Sequence, residues 1–172
     1  LIIEAEGDEC KKIEEYLGKY LKHSYLKNPI VYCGNFALNT VLVYYVQEAE
    51  NADIKINIDI ALPNEISIKD ADLTVLFGNL IENAIDACEN VQKDKRSIEL
   101  KIHRPNAGSI VFSIDNTFDG NIKMSGNKFL STKQNGSGIG IESAKYVVEK
   151  YNGDMKIEIN DNKFCVSGVL LQ

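Results

Sequence analysis

Residues 73–88 read as a helix with two sharply different sides. At about 100° per residue, Leu73, Leu76, Phe77, Leu80, Ala84, Ala87 and Cys88 fall on one continuous apolar arc, and Asn79, Glu82, Asn83 and Asp86 gather opposite it. The arc requires a second layer to cover it, because a short helix in water owes most of its stability to burial of its apolar stripe. The polar stripe has two readings: a solvated face, as most helices have, or a face that holds a ligand. Asn is a poor helix former, and two at i and i+4 inside a helix cost stability unless they contact something. A hard cation is one such contact, since Mg²⁺ takes oxygen ligands and is commonly shared with phosphate groups.

The flanking segments predict the covering layer. A helix is expected over about 34–52 through Phe36, Leu38, Val41, Leu42, Tyr45 and Val46. Ile54, Ile56, Ile58 and Ile60 alternate with Lys55, Asn57 and Asp59, the period-2 pattern of a half-buried strand closed by a turn at Pro63-Asn64. The two-faced helix is expected over about 70–90, then strands over about 97–104 and 109–116 joined around Pro105–Gly108. A helix over about 139–151 stops at Asn152-Gly153, and Met155, Ile157 and Ile159 followed by Phe164, Val166, Val169 and Leu171 predict a closing hairpin. This order gives an α/β two-layer sandwich, a mixed five-stranded sheet covered on one face by three helices. Ahead of it, Cys10, Ile13, Leu17 and Tyr20 predict an amphipathic helix over about 8–27, ended by Asn28-Pro29. Its narrow seam suits either a surface helix or one packed on a partner helix.

Charge removes several function classes. With 19 Lys plus Arg against 25 Asp plus Glu the net charge is −6, and no basic run forms a stripe. Binding to nucleic acid or to an anionic membrane surface would begin from repulsion. Cys10, Cys33, Cys88 and Cys165 include no CxxC pair, so a zinc site is not expected and a reducing, intracellular setting is. No run of about 18 apolar residues predicts a membrane span. The opening Leu1-Ile2-Ile3 suggests a piece of a longer protein.

Two segments add chemistry to the polar stripe. Gly136-Ser137-Gly138-Ile139-Gly140-Ile141 runs directly into a predicted helix. Glycines let backbone approach a ligand closely, and the helix start offers unpaired N–H groups, which together make an anion cradle. The dinucleotide fingerprint would need GxGxxG straight after a strand, and a Walker loop would need Lys-Ser/Thr after the glycines, so neither applies. Residues 117–136 form a polar stretch without clear periodicity, the expected form of a lid. It carries Lys123, Lys128 and Lys133, a local positive excess suited to a polyphosphate, with Lys133 nearest the glycines.

Together these residues resemble the catalytic, ATP-binding domain of sensor histidine kinases, within the GHKL superfamily that also holds gyrase. Asn79-Leu80-Ile81-Glu82-Asn83-Ala84-Ile85-Asp86-Ala87 is similar to the N box, Asp115-Asn116-Thr117-Phe118-Asp119-Gly120 stands at the G1 box, Phe129-Leu130-Ser131-Thr132-Lys133 matches the F box of the lid, and Gly136 to Ile141 matches G2. Asn35, the Ile54 strand and Phe129–Lys133 look most like the Gram-positive, peptide-pheromone-sensing branch. The resemblance covers about 34–172 and implies the Bergerat fold. It implies ATP and Mg²⁺ as cofactors, with Asn83 ligating the metal, Asn79 assisting, Asp86 and Phe129 beside the nucleotide, Lys133 on the phosphates, and Gly136, Ser137, Gly138, Ile139 and Gly140 supplying the phosphate cradle.

The G1 box departs from the family pattern DxGxG. Counting inward positions along Ile110, Phe112 and Ile114 puts Asn116, rather than Asp115, where the adenine reader stands, and both residues remain candidates. A neutral Asn acceptor holds adenine less firmly than a carboxylate. Hydrolysing members carry a Glu base four residues before the metal Asn. Here that position is Asn79, which cannot take a proton from water, so transfer to a protein histidine is favoured over hydrolysis.

His23 and His103 lack the acidic or Asn neighbours of the family's acceptor segment, so the resemblance implies a phosphoacceptor on a helix before Leu1. Residues 1–33 are then the second half of a dimerisation hairpin and 34–172 the catalytic domain. The implied whole is a homodimeric sensor in the bacterial cell membrane with this domain in the cytoplasm and a response regulator as partner. The alternatives are a stand-alone GHKL ATPase, an anti-sigma-type serine kinase, or a non-catalytic nucleotide-sensing or dimerisation module.

Overall fold

In the computed structural model, residues 30–121, 124–125, 128–129 and 139–171 are described. The expected helix over 8–27 lies outside them. Helix α1 (Phe36–Asn51) starts two residues later than the expected 34, at the first residue of its apolar pattern, because Asn35 is its N-cap, with Oδ1 accepting from Leu38 N at 2.9 Å. The Asn35 amide also donates to Asp70 Oδ1 at 3.2 Å, tying the start of α1 to the start of α2 (Asp70–Glu89).

Strand β1 (Lys55–Ala61) pairs in parallel with β2 (Ser97–Asn106), which α2 makes possible as the crossover between them. Strand β3 (Ser109–Thr117) pairs antiparallel with β2, β7 (Lys163–Leu171) with β3, and β6 (Asp154–Asn160) with β7, so the spatial order is β1-β2-β3-β7-β6. Five strands in a mixed sheet and three helices match the sequence expectation; the third helix, α3, spans Ile139–Lys150. Two further strands, β4 (Met124–Ser125) and β5 (Lys128–Phe129), make a small separate ribbon inside the segment expected to be an unpatterned lid.

One sheet face carries Ile98, Leu100 and Ile102, then Ile110, Phe112 and Ile114, then Val166 and Leu170, all buried against the helices. The Phe112 ring meets Phe77 of α2 edge to face, with centroids 5.6 Å apart. Gly168 stands opposite Phe112 in the β3–β7 register, and a Cβ there would lie 2.4 Å from the Phe112 ring, so only glycine leaves room for the aromatic pair. The buried side of α2 is wider than the predicted arc. Gly78, Ile81 and Ile85 are buried as well, because α2 lies between its neighbours: a Cβ on Gly78 would lie 3.7 Å from the Tyr45 ring of α1, and α3 flanks the other side.

The stop after α3 divides its work between two residues. Asn152 takes the positive φ of 50°, while Gly153 is required by close approach, since a Cβ there would lie 1.9 Å from the Val169 carbonyl oxygen of β7. At the other end of the sheet Arg96 gathers three chain segments. Its guanidinium donates to Ala52 O at 2.6 Å, Glu89 O at 2.8 Å and Val91 O at 2.9 Å, satisfying carbonyls at the ends of α1 and α2. Replacement Arg96→Met is expected to lower the unfolding free energy by about 1–3 kcal/mol in urea titrations, with the native far-UV CD spectrum kept; an unchanged midpoint would show that the three bonds add nothing net.

Candidate functional site

The polar stripe of α2 faces the first turn of α3. A Cβ placed on Gly140 would lie 2.9 Å from Asn83 Nδ2, 3.3 Å from Asn79 Oδ1 and 3.4 Å from Asn83 Oδ1. Bare backbone therefore meets both amides, and the glycine is there for close approach. The Asn79 amide is oriented by its own helix, donating from Nδ2 to Val75 O at 2.7 Å and leaving Oδ1 toward α3. Asn83 Nδ2 is buried and has no hydrogen-bond partner among the described residues. A buried donor without an acceptor costs about 1–3 kcal/mol, so its retention points to a group that arrives from outside. An amide suits a nucleotide with its metal at either end. Nδ2 donates to a phosphate oxygen, and a half-turn of the carboxamide presents Oδ1 to a cation.

Helices α2 and α3 run antiparallel, and their far ends are joined by a polar clamp. The Tyr151 hydroxyl donates to Asp72 Oδ2 at 2.6 Å and accepts from Lys69 N at 3.0 Å, and Lys150 Nζ reaches both Asp72 oxygens at 2.7 and 2.9 Å. The Lys150 hydrogen bond, then that of Tyr151, holds the Asp72 carboxyl below the usual carboxylate range. Burial, then the Asp72 bond, pushes the Tyr151 phenol up, which keeps it a donor at neutral pH. Sequence spacing gives no sign of this clamp, whose members lie 79 positions apart.

Strand β3 separates the two adenine-reader candidates. Asn116 is 3% exposed on the inward face with Ile110, Phe112 and Ile114, whereas Asp115 is half-buried on the opposite face of the sheet, in register with Glu99 and Cys165. Burial, then a hydrogen bond to Asp115, pushes the Cys165 thiol up. The structure brings Asn116 to the helix side and does not bring Asp115 there: alternation along a strand allows only one of two neighbours to face inward. Asn116 Nδ2 donates to Thr117 O at 3.0 Å, leaving Oδ1 as the acceptor for a ligand. The Thr117 carbonyl also accepts from Cys88 Sγ at 3.3 Å, which ties the end of β3 to the last turn of α2.

Asp86 is half-buried one turn beyond Asn83. Phe129 lies in β5, paired with Met124 of β4, and its side chain is outside the described residues, as are Lys133, Gly136, Ser137 and Gly138. Ile139 opens α3, with its side chain likewise outside. His103 is on the open face of the sheet, Nε2 3.1 Å from Asp59 Oδ1, and is not brought to Asn79 and Asn83. No group of three or more potential His, Cys, Asp or Glu metal ligands occurs among the described residues.

A family model described as a GHKL domain matches residues 68–172, the span that holds both facing helices and Asn116. The chain belongs to the GHKL domain family. Among solved structures, the nucleotide-free catalytic domain of histidine kinase ThkA is similar at 18% identity and a TM-score of 0.61, covering 78% of this chain and 90% of that one. The mycobacterial sensor histidine kinase MprB is similar at 14% identity and a TM-score of 0.58, covering 78% and 93%. Full-length ShkA in complex with AMPPNP is similar at 16% identity and a TM-score of 0.59, covering 77% of this chain and 28% of that one. Among curated proteins there is no significant match. The GHKL chain thus shares its fold with histidine kinase catalytic domains.

Two outcomes follow from the site as built. Asn83→Ala is expected to stabilise the ligand-free GHKL domain by about 0.5–1 kcal/mol, from better helix propensity and removal of an unpartnered donor, read as a higher urea midpoint. A clear loss of stability would mean that the amide has a partner in the folded chain. For Asp72, whose folded pKa is depressed, the contribution is present above about pH 4 and fades as pH falls through the lowered value. Asp72→Asn should therefore melt below wild type at pH 7, with the gap closing in acid.

Proposed function

We propose that this GHKL domain binds Mg-ATP between the polar stripe of α2 and the segment that opens α3, as the kinase core of a bacterial two-component sensor histidine kinase. The observation that carries the reading is the bare Gly140 backbone set against Asn79 and Asn83, with Asn83 Nδ2 buried and unpaired among the described residues. In this reading Asn83 holds the metal, Asn79 assists, Asn116 Oδ1 accepts from the adenine amino group, and Gly136–Gly140 with Lys133 take the phosphates. Asp86 and Phe129 stand beside the nucleotide. Mg²⁺, when bound, supplies charge neutralisation across phosphate oxygens.

The chain's own contribution is placement. The amides orient the phosphates, and the helix packing brings two segments distant in sequence to one ligand. Asn79 cannot serve as a base toward water, which favours transfer to a protein side chain over hydrolysis. His103, on the far face of the sheet and beside Asp59, is a poor acceptor on position alone. We assign the acceptor to a histidine on a helix that precedes Leu1 in the full-length protein, with residues 1–33 completing a dimerisation hairpin. The pheromone-sensing subtype, the response-regulator partner, homodimerisation and the cytoplasmic side of a bacterial membrane belong to the same proposal. No helix among the described residues is long and apolar enough to cross a membrane.

Calorimetric titration with Mg-ATP should give saturable binding in the micromolar to millimolar range, lost in Asn83→Ala. With the upstream helix restored, labelled ATP should leave acid-labile phosphate on the chain. Absence of binding at millimolar Mg-ATP would overturn the nucleotide reading. Steady phosphate release without chain labelling would replace the kinase with an ATPase.

A further inference from the structure

The cradle and the clamp lie at opposite ends of the same helix pair. Gly140 and Lys150 are ten residues apart, about 15 Å along α3 at 1.5 Å per residue. Between them Ala144, Val147 and Val148 are buried against the core. Apolar packing of this kind holds a helix down but is non-directional, so it constrains sliding along the axis weakly. The directional contacts are at the ends. The Asp72–Tyr151–Lys150 hydrogen bonds sit at one end, and Gly140 against Asn79 and Asn83 sits at the other. With a Cβ position only 2.9 Å from Asn83 Nδ2, a shift of α3 toward the amides collides and a shift away opens the cradle.

The Asp72 side chain is 15% exposed, and its two partners are consecutive: Lys150 at the last turn of α3 and Tyr151 just beyond it. Tyr151 is anchored in turn. Its hydroxyl accepts from Lys69 N at the start of α2, and its carbonyl accepts from Leu171 N at the end of β7. The clamp therefore references α3 to the start of α2 and to the sheet at once.

We infer that Asp72 and Tyr151 are positioning residues for the nucleotide site, setting the axial register of α3 so that its first turn meets Asn79 and Asn83 at the required distance. The nucleotide half of this inference rests on the proposed Mg-ATP site; the register half does not.

Tyr151→Phe in the 172-residue chain separates the two, because it keeps the ring and removes only the hydroxyl. In the ligand-free protein, the side-chain amide resonances of Asn79 and Asn83 in ¹⁵N-correlated NMR spectra are expected to move, although the lost bond is at Asp72, about 10 and 16 Å from them along α2. Affinity for Mg-AMPPNP is expected to fall roughly three- to tenfold. Combined with Gly140→Ala, the affinity losses should be non-additive, since both act on the same gap. Asp72→Asn, which keeps acceptor capacity for the Tyr151 hydroxyl, should restore the amide positions more closely than Asp72→Ala does.

Amide resonances that stay in place in Tyr151→Phe, with only a lowered melting temperature, would overturn the inference and leave the clamp a purely stabilising contact. Additive losses in the double variant would overturn it as well. If wild type binds no Mg-AMPPNP, the functional reading fails, and the amide shifts still decide whether the clamp sets the register.

Discussion

The separation between the first turn of α3 and the middle of α2 is the constraint on which the rest of the molecule depends. Two helices ordinarily pack with axes about 8–10 Å apart, held off by side chains. At Gly140 there is no side chain, and the backbone comes against the carboxamides of Asn79 and Asn83. Such an approach is stable only if the remainder of the helix is held in place, which the buried Ala144, Val147 and Val148 and the polar end at Asp72 accomplish. The sheet serves this arrangement. Phe112 against Phe77, with Gly168 vacating space beneath the ring, fixes the height of α2 above the strands.

Once α2 is fixed over the sheet, the pleat decides which polar groups can join it. Asn116 and Asp115 are neighbours in sequence, and a single step along β3 puts one under the helices and the other on the open face. The carboxylate sits next to Cys165 and away from Asn83, while the neutral amide is buried with its nitrogen occupied by the Thr117 carbonyl. The altered G1 box therefore still presents a side-chain oxygen inward. What it lacks is charge.

Much of the fold was legible because its elements carry strong local periodicity. Ile98, Leu100 and Ile102, and the arc of α2, announce their period and their buried side directly. Parity counting along Ile110, Phe112 and Ile114 favoured Asn116 over Asp115 without coordinates, because strand alternation admits no compromise. Two kinds of feature were not legible. Gly78, Ile81 and Ile85 fall outside the predicted arc, since a central helix is buried by neighbours on more than one side and a single-face analysis assigns it only one. The clamp joins Asp72 to Tyr151 across 79 positions, and nothing local marks an aspartate in the first turn of a helix as other than a dipole partner. The stop at Asn152-Gly153 is legible but not its division of labour, in which Asn152 takes the left-handed conformation and Gly153 answers to the strand beside it. Sequence pattern reports what a residue does to its own backbone better than what it permits a neighbour to do.

The chemistry of the described groups around the site also has a direction. Asn79, Asn83 and Asn116 are amides, uncharged at every accessible pH, and the carboxylates that share the stripe, Glu82 and Asp86, add negative charge in a chain whose net charge is −6. A carboxylate at Asn79 or Asn83 would attract a cation more strongly but would repel the polyphosphate that shares it. An amide avoids that conflict by donating at one end and accepting at the other. The positive charge a polyphosphate needs must then come with the ligand's own cation or from lysines such as Lys133, which lies outside the described residues. The three amides recognise through geometry rather than through charge. Geometry set by helix register is only as good as the contacts that hold the register, which is why a hydrogen-bonded cluster at the remote end of α3 belongs to the same functional unit as the amides it never touches.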